Sequence, residues 1–394
     1  MKPASSRANA LPQSGIRELM ALAELVPDVI HLEVGEPSFT TPEHIIRAAF
    51  ADALAGWTRY TPTAGLPTLR QAVAERHTPL LGRAVDAAEV VISVGAVGAL
   101  AAGIFALCET GDEVLIPDPG WPNYRSMVQL ADAVPRPYRL SPEAGYVPSA
   151  GDVEHLFTDR TKAIIISNPS NPTGSVLPGL TIKAMVELAV ERGVYVIADE
   201  VYGDLVYDGE YVPAGRFDEQ SVITVAGCSK TYAMTGWRIG WAIAARPIAS
   251  LMTKLQEPLV SCPPSVSQRA AEAALRGPQD AVSTMRETYR RRRDLACAIL
   301  EPAGLLAARP GGAFYAMVDL RQLGMSSGSL ARLLLEEEHV ATAPGDTFGA
   351  SCDGMLRISV ASPDEAVQEG CQRIVRFAAR HATGAAAKSS ERGT

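Results

Sequence analysis

Four side chains in this 394-residue chain are of types that could work together on a small molecule: Lys230, Arg238, Asp199 and Arg357. Lys230 follows the β-branched run Val222 to Ala226 and the turn Gly227-Cys228, so it is expected at the exit of a buried strand. A lysine held there among apolar groups gives up its proton more easily and can attack a carbonyl. Arg238 stands between Gly236 and Gly240, which allow backbone to come close to a ligand. A guanidinium that keeps its charge suits a phosphate dianion. An amine for an aldehyde and a guanidinium for a phosphate together describe pyridoxal 5'-phosphate.

A nucleotide-binding reading competes for the same residues. Gly227-x-x-Lys230-Thr231 is like the end of the phosphate loop G-x-x-x-x-G-K-[ST], and Val194 to Glu200 is like the acidic strand that accompanies it. It fails on detail. Ser229 stands where that loop needs glycine, and the acidic strand precedes the lysine.

The elements that must position these groups alternate between strand and helix. Strands are expected at Glu89–Val94, Gly111–Pro117, Lys162–Ser167, Val194–Asp199 and Val222–Ala226, several of them apolar throughout as in a parallel sheet covered on both faces. Helices are expected from Gly95 to Cys108 and from Pro178 to Arg192. This is the pattern of a doubly wound α/β sheet, whose ligands bind at the strand C-termini. Gly95, Asn171, Asp199 and Lys230 all fall there. The turn Gly95-Ala96-Val97 at a helix start offers free N–H groups to an anion, or is a tight strand-to-helix connection. Asp199 at a buried strand end needs a partner. Arg357, inside the apolar strand Met355–Val360, wants a carboxylate, unless that strand is an edge facing water.

Outside this core, Ile16, Leu19, Met20 and Ala23 form one face of a short helix, and Val29–Val34 reads as a strand. Thr41-Pro42 reads as the N-cap and first residue of a helix to Leu54. Helices are expected at about 247–257, 265–275, 280–300 and 363–382. The run Arg290-Arg-Arg-Arg293 reads as a solvated face.

The run Ser229-Lys230-Thr-Tyr-Ala-Met-Thr-Gly-Trp-Arg238-Ile-Gly240 resembles the lysine signature of class I and II, fold-type I pyridoxal-phosphate aminotransferases. It is most similar to the bacterial aspartate/aromatic branch. Further matches run from about Leu32 to Ala361. The resemblance implies a large domain with a doubly wound, mixed but mostly parallel sheet, and a small α+β domain. Its boundaries are an N-terminal arm and part of the small domain at 1–44, the large domain at 45–280, the small domain at 281–383, and a disordered tail at 384–394.

Residue roles follow from the resemblance. Lys230 would hold the cofactor as a Schiff base and move a proton during the reaction. Asp199 would keep the pyridine nitrogen protonated. Tyr202 and Asn171 would hydrogen-bond the phenolic oxygen, and Trp121, in Pro-x-Trp-x-x-Tyr, would stack on the ring. Arg238, Ser229 and the loop Gly95-Ala96-Val97 would hold the phosphate. Tyr60, alone a loop aromatic, would reach the cofactor of a second copy, implying a homodimer with shared sites. Arg357 would clamp the substrate α-carboxylate beside the Gly35 backbone, with Asn171 and Trp121 also at the substrate. Two positions depart from the pattern: Val97 stands where some acid-specific members carry a loop lysine, and Gly227 where many carry a serine. The implied reaction is amino transfer between an L-amino acid and a 2-oxo acid by a ping-pong mechanism. The alternative is elimination or cyclisation on the same cofactor.

Composition narrows the classes. A net charge of −8 gives no footprint for nucleic acid. No apolar run reaches membrane-spanning length, and the N-terminus Met1-Lys-Pro-Ala-Ser-Ser-Arg lacks a signal-peptide core. Six dispersed cysteines without a C-x-x-C pair point to reduced thiols and a cytoplasmic home, not to a zinc site.

Overall fold

The computed structural model describes residues 4–12 and 15–391. Residues 1–3 and 13–14 of the expected arm and 392–394 of the expected tail lie outside the described residues. Among the described residues there are twelve strands, in chain order β1 Ile30–His31, β2 Val90–Val94, β3 Glu113–Asp118, β4 Val134–Arg139, β5 Thr161–Ser167, β6 Tyr195–Asp199, β7 Val222–Gly227, β8 Ile239–Ile243, β9 Tyr315–Asp319, β10 Val340–Ala341, β11 Ala343–Pro344 and β12 Met355–Ser359.

Seven of these form one sheet in the order β2-β8-β7-β6-β5-β3-β4. Only β8 runs against its neighbours, so the sheet is mixed and mostly parallel, as expected. Ala163–Ile166, Val196–Ala198 and Val222–Ala226 are buried without alternation because helices cover both faces. One face packs against the helices Gly95–Leu107 and Arg246–Val260. The other is covered in part by Gly179–Glu191. β4 was not expected from sequence. It carries Pro135 and Pro137, which lack an N–H and are tolerated because β4 is the sheet's edge.

A second lobe holds the antiparallel sheet β11-β12-β9 and the parallel pair β1–β10. Through β1 the N-terminal segment joins this lobe, and Leu19, Ala23 and Leu32 share its core with Leu330, Leu356 and Phe377.

Four expectations need correction. The strand expected at 29–34 is only the pair Ile30–His31, after which Glu33 to Glu36 line the cavity described below. Thr41 does not cap the next helix: that helix runs Glu43–Leu54 with Pro42 at its cap, while the Thr41 hydroxyl donates to the Ala233 carbonyl at 2.7 Å. The arginine run is half buried. Arg292 bonds Asp364, Ser38 and the Ala361 carbonyl, and Arg293 pairs with Asp208 and Asp294, so lost hydration is replaced by charge-assisted bonds. The C-terminal helix runs from Asp364 to Glu391, past the expected end near Ala382 and into the segment expected to be a tail.

Candidate active site

The C-terminal ends of β5, β6 and β7 lie at one level, because Ser167 pairs with Asp199 and Asp199 with Val225. With the end of β2 they open onto a cavity of about 630 Å³ between the two lobes. Lys230, Asp199, Tyr202, Asn171, Trp121, Ala96, Val97, Ser229, Arg238, Arg357 and Gly35 all line it. Gly95 sits at its rim, where a Cβ would lie 2.5 Å from the Arg238 guanidinium. Tyr60 is outside, 91% exposed on the molecular surface.

Lys230 is on a single helical turn, Cys228–Thr231, following β7. Its Nζ donates to the Gly35 carbonyl at 2.7 Å. Burial first, with Arg357 and Arg238 also lowering it, brings the amine from 10.5 to about 8, against the opposing charge of Glu36 and Asp199. The Gly35 carbonyl therefore faces the amine. Glycine is required there, because a Cβ would fall 2.8 Å from the phenol carbon of Tyr315.

Asp199 is 5% exposed and accepts a hydrogen bond from the Tyr124 hydroxyl at 2.6 Å. Burial pushes its carboxyl up to about 6, and the Tyr124 bond and the Lys230 charge oppose this only in part. Sequence reasoning missed Tyr124 as a site residue. The signal was present, three positions beyond Trp121 in the same motif. The two rings meet edge to face at 5.5 Å, so Trp121 is braced by the residue that holds Asp199.

Tyr202 donates to or accepts from the Tyr315 hydroxyl at 2.8 Å. Tyr315, also missed, leads β9 and places its ring 4.4 Å from the Arg357 guanidinium, with Phe348 at 4.8 Å. Arg357 is 2% exposed. It donates to Asn171 Oδ1 at 3.0 Å and to the Glu33 carbonyl, while its Nε has no partner. Since Asn171 accepts through Oδ1, its amide nitrogen remains a donor. Glu200, next to Asp199, faces away and accepts from Tyr211 and the Ala214 amide.

At the open end, Arg238 is exposed and left-handed at φ 52°, with its guanidinium donating to the Thr235 carbonyl at 2.9 Å. Gly240 has no room for a Cβ against the Ala96 amide. The first amides of the helix Gly95–Leu107 and one arginine thus form a wet cradle for a phosphate. A half-buried amine, a buried carboxyl and this cradle fit pyridoxal phosphate from aldehyde to phosphate.

The fold and this constellation define a pyridoxal-phosphate transferase. The chain belongs to the aminotransferase class I and II family, which it matches over residues 27–374. It is 38% identical to the aspartate/prephenate aminotransferase of Thermus thermophilus over 90% of this chain and 92% of that protein. It is also 38% identical to the arginine–pyruvate transaminase of Pseudomonas aeruginosa, over 91% and 92%. Among solved structures, the Thermus thermophilus aspartate aminotransferase with maleate superposes with a TM-score of 0.91 at 36% identity, covering 95% of this chain and all of that one. The protein is accordingly a pyridoxal-phosphate-dependent aminotransferase that moves an amino group between an amino acid and a 2-oxo acid.

Proposed function

We propose that Lys230, Asp199 and Arg357 divide the transfer reaction among holding the cofactor, holding its ring proton and holding the substrate. The observation that carries this reading is one cavity in which the lysine amine, lowered to about 8, shares space with a buried arginine bearing an unpartnered Nε. Pyridoxal phosphate, when bound, supplies an aldehyde that takes up the amino group and a ring that withdraws electrons from the substrate Cα. Lys230 Nζ would hold that aldehyde and, once displaced, would take the proton from the substrate Cα and deliver it to the cofactor carbon that bears the nitrogen. An amine near pH 8 can do both at neutral pH.

Asp199 holds the proton on the ring nitrogen, and Tyr124 orients its carboxylate. Trp121 fixes the ring plane, while Tyr202 and the Asn171 amide donate to the phenolic oxygen. Arg238, Ser229 and the Gly95-Ala96-Val97 backbone bind the phosphate. Arg357 grips the α-carboxylate between Tyr315 and Phe348, where water is excluded and a charge-assisted bond is strong.

The working unit is a homodimer. Phe50, Leu54, Trp57 and Tyr60 are exposed within one short segment, and such a patch suits a second copy whose phosphate cradle receives Tyr60. Boundaries near residues 44 and 280 separate the lobes, and the cytoplasm suits the six free thiols. Among the described residues no helix is long and apolar enough to cross a membrane. The test is a spectral half-reaction. Amino acids from a panel should abolish the visible absorption of the bound cofactor, and a 2-oxo acid should restore it. A band restored in a Lys230→Ala variant as fast as in the wild type would refute the assignment.

A further inference from the structure

The two lobes meet at a second polar contact, 118–120 against 348–351, made by groups that take no part in the roles assigned above: the Asp118 and Ser351 side chains and the Gly120 and Phe348 backbone. Asp118 ends β3, and its Oδ1 accepts the Ser351 hydroxyl at 2.7 Å and the Ser351 amide at 3.3 Å. The Gly120 amide donates to the Phe348 carbonyl at 2.8 Å. Gly349 lies between them at φ 148°, and no Cβ would fit there against the Asp118 carboxylate. Each side of this contact continues directly into the cavity. On one side Gly120 precedes Trp121. On the other the Arg357 guanidinium lies over the Phe348 ring at 4.8 Å, with the Tyr315 ring at 4.4 Å.

We propose that Asp118 and Ser351 form an interlobe clasp that holds Phe348 against Arg357, making both positioning residues for substrate-carboxylate recognition. This rests on the reading of Arg357 as the carboxylate clamp. Phe348 ends a single 3₁₀ turn, Gly345–Phe348, with no strand of its own to fix it. Its carbonyl bond to Gly120 and the neighbouring Asp118–Ser351 bonds tie it to the rigid end of β3. Without them the ring can leave the guanidinium, water can reach Arg357, and its bond to a carboxylate weakens.

The test separates carboxylate recognition from donor preference by comparing two reagents that share an O–NH2 group. Aminooxyacetate carries a carboxylate and methoxyamine does not. Each captures the bound cofactor's aldehyde and releases the lysine amine, which is followed as loss of visible absorption. The ratio of their rate constants in holoenzyme reports on the clamp. Ser351→Ala and Asp118→Ala are expected to lower this ratio about fivefold, the loss of roughly one hydrogen bond's net contribution. Methoxyamine capture and the cofactor dissociation constant should stay within about twofold of wild type. Ser351→Thr, which keeps the hydroxyl, should restore the ratio.

Arg357→Lys distinguishes the two claims. A ratio unchanged in that variant overturns the reading of Arg357. A ratio lowered there but unchanged in both clasp variants overturns the clasp. Should those variants fail to fold, Phe348→Leu keeps the clasp and removes the ring, and a ratio unchanged in it overturns the proposal as well. Amide exchange gives an independent readout: the Gly120 amide should exchange faster in Ser351→Ala, and unaltered exchange contradicts a clasp.

Discussion

Two of the three arginines that line the cavity, Arg357 and Arg238, occupy opposite environments. Arg357 is buried, within 4.4 Å and 4.8 Å of the Tyr315 and Phe348 rings, and bonded to Asn171 and the Glu33 carbonyl. Arg238 is exposed, on left-handed backbone, beside helix amides and a glycine with no room for a side chain. The difference matches the two anions. A phosphate stays in place throughout turnover and can be held by many weak donors in water, with backbone amides carrying much of the work. A carboxylate must be gripped and released each cycle, so one strong bond in a dry setting suits it better. The left-handed φ at Arg238 is a local cost of the kind found at ligand sites, and here it brings the guanidinium over Gly95.

Several substitutions would break or sharpen that contrast. The largest effect is expected from Asp199→Asn, which cannot hold a ring proton and should lower kcat about a thousandfold, measured with saturating substrates. Its pH signature is separate. Burial raises this carboxyl from 3.8 to about 6, so the folded chain binds its proton more tightly than the unfolded chain does. The stability this contributes is present at low pH and lost as pH rises through 6. Cofactor-free wild type should therefore lose more melting temperature between pH 4 and 6 than Asp199→Asn does.

Next comes the dry arginine. Arg357→Gln should raise the half-saturating amino acid concentration about a hundredfold, with cofactor affinity unchanged. Arg238→Gln should do the reverse, weakening cofactor binding about tenfold, since an exposed charge contributes less, and leaving substrate half-saturation nearly intact. Equal effects on both constants from either variant would erase the proposed division. The smallest change is expected for Tyr124→Phe. It removes one hydrogen bond that lowers the Asp199 carboxyl, so the carboxyl should titrate higher and turnover fall about fivefold.

The positions that the sequence exposed most clearly are those where a pattern breaks. Lys230 interrupts an apolar strand exit, Asp199 ends a buried run, and Arg357 stands inside one, and all three line the same cavity. Chain order and strand register suffice to bring them together. What sequence hid are contacts between distant segments. Tyr124 and Tyr315 look like ordinary core aromatics until their hydroxyls meet Asp199 and Tyr202. Arg292 and Arg293 look solvated because Asp364 and Asp208, which neutralise them, lie far off in the chain. β4 was hidden by its prolines, which local rules count against a strand and only an edge position permits. Thr41 shows the converse, a good capping residue whose hydroxyl is taken by a remote carbonyl.

The central claim is that Lys230 is the residue that holds the cofactor. Reducing the holoenzyme with borohydride fixes the cofactor to its lysine, and peptide mass analysis then locates it. The cofactor mass is expected on the peptide containing Lys230 and on no other. Finding it on Lys162, Lys183 or Lys254 instead would contradict the account.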